Sequence, residues 1–154
     1  MKKLFLITLS AAAIATSCSK EFMKKHSANF KLNGTAYTCN EDQITAEYYN
    51  SATKLQVQGY TGQASTMGFS LVIDLTKINQ TVGIDSSSDG TYARLNNSAV
   101  QYHAIAGEWK ITSYQEGKPE SRHTEGTFSF VGVNQYDNAD TLRVTDGHFY
   151  VNNY

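Results

Sequence analysis

Proline occurs once in this 154-residue chain, tryptophan once and cysteine twice. No basic stripe runs along it, which argues against nucleic acid as a partner. There is no Gly-x-Ser-x-Gly, no P-loop and no Gly-x-Gly-x-x-Gly, so the sequence signatures of nucleophile-elbow hydrolases, phosphate cradles and dinucleotide sites are missing. No apolar run reaches the roughly 20 residues of a membrane-spanning helix. Nor is there an amphipathic helix, an internal repeat, a low-complexity block or a second domain.

The two cysteines carry different information. Before Cys18 stand a basic start, Met1-Lys2-Lys3, an apolar stretch from Leu4 to Thr16, and the small residues Ala15-Thr16-Ser17. That order is a cleavable export signal, too short to remain as a transmembrane helix. Because the small residues lead straight into a cysteine, residues 1–17 read as a lipoprotein signal, with Cys18 the thiol that accepts diacylglycerol. Ala15 holds the position where many such boxes carry leucine. Two or three acyl chains, at about 0.8 kcal/mol per buried methylene, would make membrane attachment effectively permanent where one would not. The expected address is the bacterial cell envelope, at the outer membrane.

Cleavage before Cys18 would leave 137 of the 154 residues, with 11 of the 13 basic residues against 14 acidic ones, a formal charge of −3. Residues 18–28 are polar and without sustained periodicity, which suits a lipidated tether; they include His26. Residues 29–154 are one domain's worth, long enough to bury a core without disulfides. With Cys18 acylated no intramolecular disulfide can form. Cys39, on the strand Tyr37-Thr38-Cys39, then reads as a small buried apolar residue; a nucleophilic role would need a histidine beside it.

Strand signals dominate the rest of the chain. Asn33-Gly34 as a two-residue hairpin turn puts Leu32 opposite Thr35 and Phe30 opposite Tyr37. Asp146-Gly147 read in the same way puts Val144 opposite Phe149 and Leu142 opposite Val151, with Arg143, Thr145, His148 and Tyr150 on the other face. Met67, Phe69, Leu71, Ile73 and Leu75 alternate with their neighbours as in a central strand. Leu55 and Val57, Trp109 and Ile111, and Phe128 and Phe130 mark further half-buried strands. Ala99 to Ala106 is strand-like with less cleanly separated faces. Asn40 to Asn50 reads as a loop, with a possible helical turn at Glu41-Asp42, leading into a strand at Ile44, Ala46 and Tyr48. Pro119 marks an exposed hairpin loop. About eight to ten short strands predict an all-β fold, an antiparallel β-sandwich, with barrel-like closure as the variant.

The order of the lipobox, Phe30-Lys31-Leu32-Asn33-Gly34-Thr35-Ala36-Tyr37, Gly90-Thr91-Tyr92, Glu125-Gly126-Thr127-Phe128-Ser129-Phe130 and Val144-Thr145-Asp146-Gly147-His148-Phe149 resembles a family of small Bacteroidota lipoproteins that carry a β-rich domain of unknown function. The resemblance implies a β-rich envelope lipoprotein and brings no catalytic residues with it.

Candidate chemistry is sparse. Asp85, Ser87 and Asp89 occupy the first, third and fifth positions of a calcium-loop pattern, with Gly90 at the sixth. Asn96 stands where the bidentate glutamate belongs, so a polar turn is expected and no metal is assigned. Asp137, Asn138 and Asp140 form a second acidic loop, expected to be a solvated hairpin turn. His103, His123 and His148 show no zinc spacing. Glu108 and Glu125 would serve a glycan-active enzyme only at a carboxylate separation of roughly 5–9.5 Å. The aromatic residues remain: ten tyrosines, of which Tyr49, Tyr114 and Tyr150 are expected outside the core. Together with His148 they are the candidate ligand-binding residues, because exposed tyrosine offers a flat apolar face with a polar tip. The expected function is a noncatalytic, lipid-anchored binding module for glycan or protein, needing no cofactor beyond the acyl lipid on Cys18. A purely structural envelope lipoprotein is the remaining alternative.

Overall fold

The computed structural model describes residues 25–49, 51, 53–61, 67–85, 92–98, 100–116 and 122–152. The signal, Cys18 and most of the tether lie outside them. Among the described residues no helix is long and apolar enough to cross a membrane.

The fold is all-β. Among the described residues ten strands make one antiparallel sheet: β1 Ser27–Leu32, β2 Thr35–Cys39, β3 Ile44–Tyr49, β4 Lys54–Thr61, β5 Met67–Asp74, β6 Thr81–Asp85, β7 Tyr92–Asn97, β8 Val100–Gln115, β9 His123–Asn134 and β10 Asp137–Asn152. They run in the order β2-β1-β10-β9-β8-β7-β5-β4-β3, with β6 paired to β8 beside β7. The sheet curls into a half-barrel, so strands far apart in the order meet across the interior. The Phe30 ring on β1 meets Phe69 on β5 edge-on at 5.6 Å between centroids, and Phe69 lies 5.1 Å from Phe128 on β9. At the sheet's last strand, the Tyr48 hydroxyl lies 2.8 Å from Thr124 Oγ1 of β9. Barrel-like closure is therefore made by side chains packed across the curl.

Alternation places the core as the sequence requires. On β4 Leu55 and Val57 are buried, on β5 Phe69, Leu71 and Ile73, on β8 Trp109 and Ile111, and on β9 Phe128 and Phe130. Each such side chain contributes about 1.5–3 kcal/mol by leaving water. The Asn33-Gly34 hairpin has the expected register, Leu32 opposite Thr35 and Phe30 opposite Tyr37. Its backbone angles, φ +47° at Asn33 and +88° at Gly34, explain why that dipeptide stands there. Asn40 starts a short 3-10 turn, Glu41–Gln43, which delivers the chain into β3. β1 already begins at Ser27, where Ser27 and Ala28 pair with Tyr150 and Phe149.

Asp146-Gly147 is not a hairpin. β10 runs unbroken through it, and the register with β9 shifts between Val144, opposite Phe130, and Gly147, opposite Phe128. Thr145 and Asp146 thus share the space opposite Ser129, a bulge with Asp146 in the left-handed region at φ +51°. A one-residue bulge and a two-residue turn both invert the alternation, so both put Leu142, Val144, Phe149 and Val151 on the core side. All four are buried. The turn into β10 lies instead at Asn134 to Asp137. β8 behaves alike: a register shift between Ala104 and Ala106 joins the Tyr102/Ala104 face to the Trp109/Ile111 face in one strand and leaves Ile105 exposed. Pro119 lies outside the described residues, in the connection between Gln115 and His123, which pair with each other.

Candidate functional site

The three longest strands, β8, β9 and β10, carry a polar surface on the face turned away from the core. One row across the sheet consists of Thr81, Lys110, Thr127 and His148, set side by side by the pairing of β6, β8, β9 and β10. In the next row Gly83, Glu108 and Ser129 face the β10 bulge. Large side chains at Glu108, Lys110 and His148 surround short ones at Thr127 and Ser129, and the bulge displaces β10 beside them. The result is a groove of about 330 Å³. Trp109 and Phe128 sit at its floor but are buried as part of the hydrophobic core. At the rim the Asp146 carboxylate pairs with Lys31 at 2.9 Å.

Further along the same face, polar side chains of β8, β9 and β10 pair with one another, and one of these pairs includes the groove's histidine. His148 Nε2 lies 2.8 Å from Glu125 Oε1, with about a third of each side chain exposed. Ser113 Oγ lies 3.0 Å from His123 Nε2, and the His123 ring stacks on Tyr150 at 5.6 Å. The Tyr150 hydroxyl donates to Asn152 Oδ1 at 2.8 Å.

The expected ligand-binding residues are therefore dispersed. His148 lines the groove. Tyr150 lies on the outer side of β10 but is covered, with 8% of its surface accessible, because His123 stacks over it. Tyr114 packs half-buried against the core, since a register shift between Ile111 and Ser113 turns it inward, which corrects its expected exposure. Tyr49 is exposed on β3, at the far end of the sheet order, beside Tyr92. Partial burial and that neighbour hold its phenol above the usual value. No common tyrosine platform results.

Glu108 pairs with Ser129 and Glu125 with Ser113, so the two carboxylates stand four positions apart along β9. At about 3.4 Å per residue along the strand and about 4.8 Å between strands their backbones are separated by roughly 14 Å, and Glu125 is bonded to His148. Cys39 is wholly buried, and burial pushes its thiol up to about 11. At the start of β10, Asp140 accepts hydrogen bonds from Asn134 Nδ2 at 2.9 Å and the Tyr102 hydroxyl at 2.8 Å. Those bonds hold its carboxyl below the ordinary value. Asp137 accepts from the Ala139 amide. Both acidic side chains at the start of β10 are thus engaged in local hydrogen bonds. The Asp85 side chain, Ser87 and Asp89 lie outside the described residues. Among the described residues no three His, Cys, Asp or Glu side chains are grouped to hold a metal.

The sequence reading missed Thr81, Lys110, Thr127, Ser129 and Asp146. Only the pairing of four strands brings them together, and the one local signal, Asp146-Gly147, is shared between hairpin and bulge. Fold and site define a curled antiparallel β-domain whose outer face carries a groove with polar side chains around Trp109 and Phe128. No family model, curated protein or solved structure matches the chain, so any functional conclusion stands on its own residues.

Proposed function

We propose that the chain is a lipid-anchored protein of the bacterial cell envelope, held at the outer membrane through acyl chains on Cys18. Its β-domain is a noncatalytic binding module that works through the groove over β8, β9 and β10. The observation that carries the binding reading is the groove beside the β10 bulge, where Asp146, Gly147 and His148 join Thr81, Glu108, Lys110, Thr127 and Ser129 in one lining. Bulges recur where a sheet must re-aim side chains. The groove's size suits a small ligand or one terminal group of a larger one, since a stable protein interface buries roughly 800 Å² on each partner. The pairing of Glu125 with His148, away from Glu108, favours binding over hydrolysis.

The anchor reading rests on the export signal that ends at Cys18 and on the resemblance to Bacteroidota lipoproteins. It agrees with the burial of Cys39, which leaves Cys18 as the one other cysteine of the chain. Cys18→Ala in the producing bacterium should abolish incorporation of labelled fatty acid and move the protein from the membrane to the soluble fraction. Retention in the membrane by the unacylated variant would refute the anchor.

A further inference from the structure

Resting on the groove reading, we infer that the groove takes a neutral saccharide, held by hydrogen bonds to a row of polar side chains rather than by ring stacking. The first argument is charge. Glu108 and Lys110 are two positions apart on the same face of β8 and cancel each other. Asp146 is paired with Lys31, and Glu125, in hydrogen-bond contact with His148, lies outside the groove lining. The charged side chains that line the groove, Glu108, Lys110 and Asp146 with its partner Lys31, balance, so neither an anion nor a cation gains an advantage there, because partners of complementary potential are the ones an interface selects.

The second argument is hydrogen-bonding capacity. Thr81, Thr127 and Ser129 supply hydroxyls that donate and accept, Glu108 only accepts and Lys110 only donates. A polyol, whose every hydroxyl both donates and accepts, satisfies such a set. A purely apolar ligand would leave it desolvated and unpaired, which is unfavourable. The third argument is spacing. Thr81, Lys110, Thr127 and His148 stand on adjacent strands, about 4.8 Å apart, a step comparable to the length of one pyranose ring. A short glycan lying across the strands would present one ring to each successive pair of side chains. The volume of about 330 Å³ lies at the lower end of small-ligand sites. Because the floor rings of Trp109 and Phe128 are turned into the core, affinity should be modest.

The test uses the full chain, extracted in detergent, titrated with cellobiose, maltose, lactose and chitobiose, and in parallel with glucuronic acid and glucosamine. Binding is read by saturation-transfer NMR and by thermal shift. At least one neutral disaccharide should bind, more tightly than either charged sugar. Ser129→Trp, which fills the groove from an outward position, should weaken it about tenfold or more, equal to about 1.4 kcal/mol. Thr127→Trp, at an exposed position, serves if the first variant does not fold. Absence of binding by all four disaccharides overturns the inference, as does tighter binding of a charged sugar or binding untouched by groove filling. A small-molecule extract of the producing cell's envelope separates the two levels. If it stabilises the native chain but not Ser129→Trp while the sugars fail, the groove reading stands and the saccharide falls; if it too fails, both fall.

Discussion

Gly147→Ala tests the packing beneath the groove most directly. A Cβ built on Gly147 would lie 2.5 Å from the Phe128 carbonyl oxygen and 2.6 Å from two atoms of the Phe128 ring. The ring cannot swing aside cheaply, because Phe128 is buried against Phe30, Phe69, Phe130 and Phe149 at centroid distances of 5.1 to 6.5 Å. Neither can the carbonyl, which belongs to the β9 ladder. Overpacking of this kind costs about 1–3 kcal/mol. For a domain of this size that corresponds to a fall in melting temperature of roughly 3–15 °C. Gly83→Ala is the control on the same sheet, where a built Cβ meets nothing within 4 Å. There the loss of chain entropy in the unfolded state should leave stability unchanged or raise it by about 0.4–1 kcal/mol. Both variants are compared by circular-dichroism melts and urea unfolding. Equal stability of the two, or a Gly147→Ala protein that melts with the wild type, would refute the packing described for the bulge.

Two further outcomes concern buried or paired groups. In the Cys18→Ala background Cys39 is the only thiol, and its burial and raised pKa predict that iodoacetamide labels it very slowly in the folded chain and rapidly in denaturant; rapid native labelling, read by mass spectrometry, would contradict its place in the core. Burial pushes the Asp74 carboxyl up, but hydrogen bonds from the Thr76 hydroxyl and amide and from Lys54, 3.2 Å away, outweigh it and hold the carboxyl below its ordinary value. Its contribution is therefore present above the ordinary carboxylate pKa and lost as pH falls through the lower folded value. Asp74→Asn should lower stability at neutral pH and flatten the acid limb of the stability profile, and an unchanged acid limb in urea titrations would count against the pairing.

Much of the fold was legible because alternation is a local property. Leu55 and Val57, Phe69 to Ile73, and Phe128 and Phe130 announce their faces two residues at a time, and Asn33-Gly34 names its own turn. Legibility failed where two backbone devices leave the same trace. The inversion between Val144 and Phe149 is made equally well by a hairpin or a bulge, and what separates them is the pairing of β10 with both β1 and β9. The same ambiguity hid the single strand running from Val100 to Gln115 and turned Tyr114 inward. Tyrosine exposure was misread for a related reason: the partner that covers Tyr150 is His123, on the neighbouring strand.

By itself, then, the sequence determined the all-β class, the periodic core, the first hairpin and the expectation that Cys39 is buried, each set by residues within a few positions of one another. Tertiary structure alone decided that ten strands share one curled sheet, that Phe30 meets Phe69 across it, and that Thr81, Lys110, Thr127 and His148 stand in a row. Those contacts join residues far apart in the chain, and their register depends on the summed burial and hydrogen bonding of whole strands rather than on any local motif.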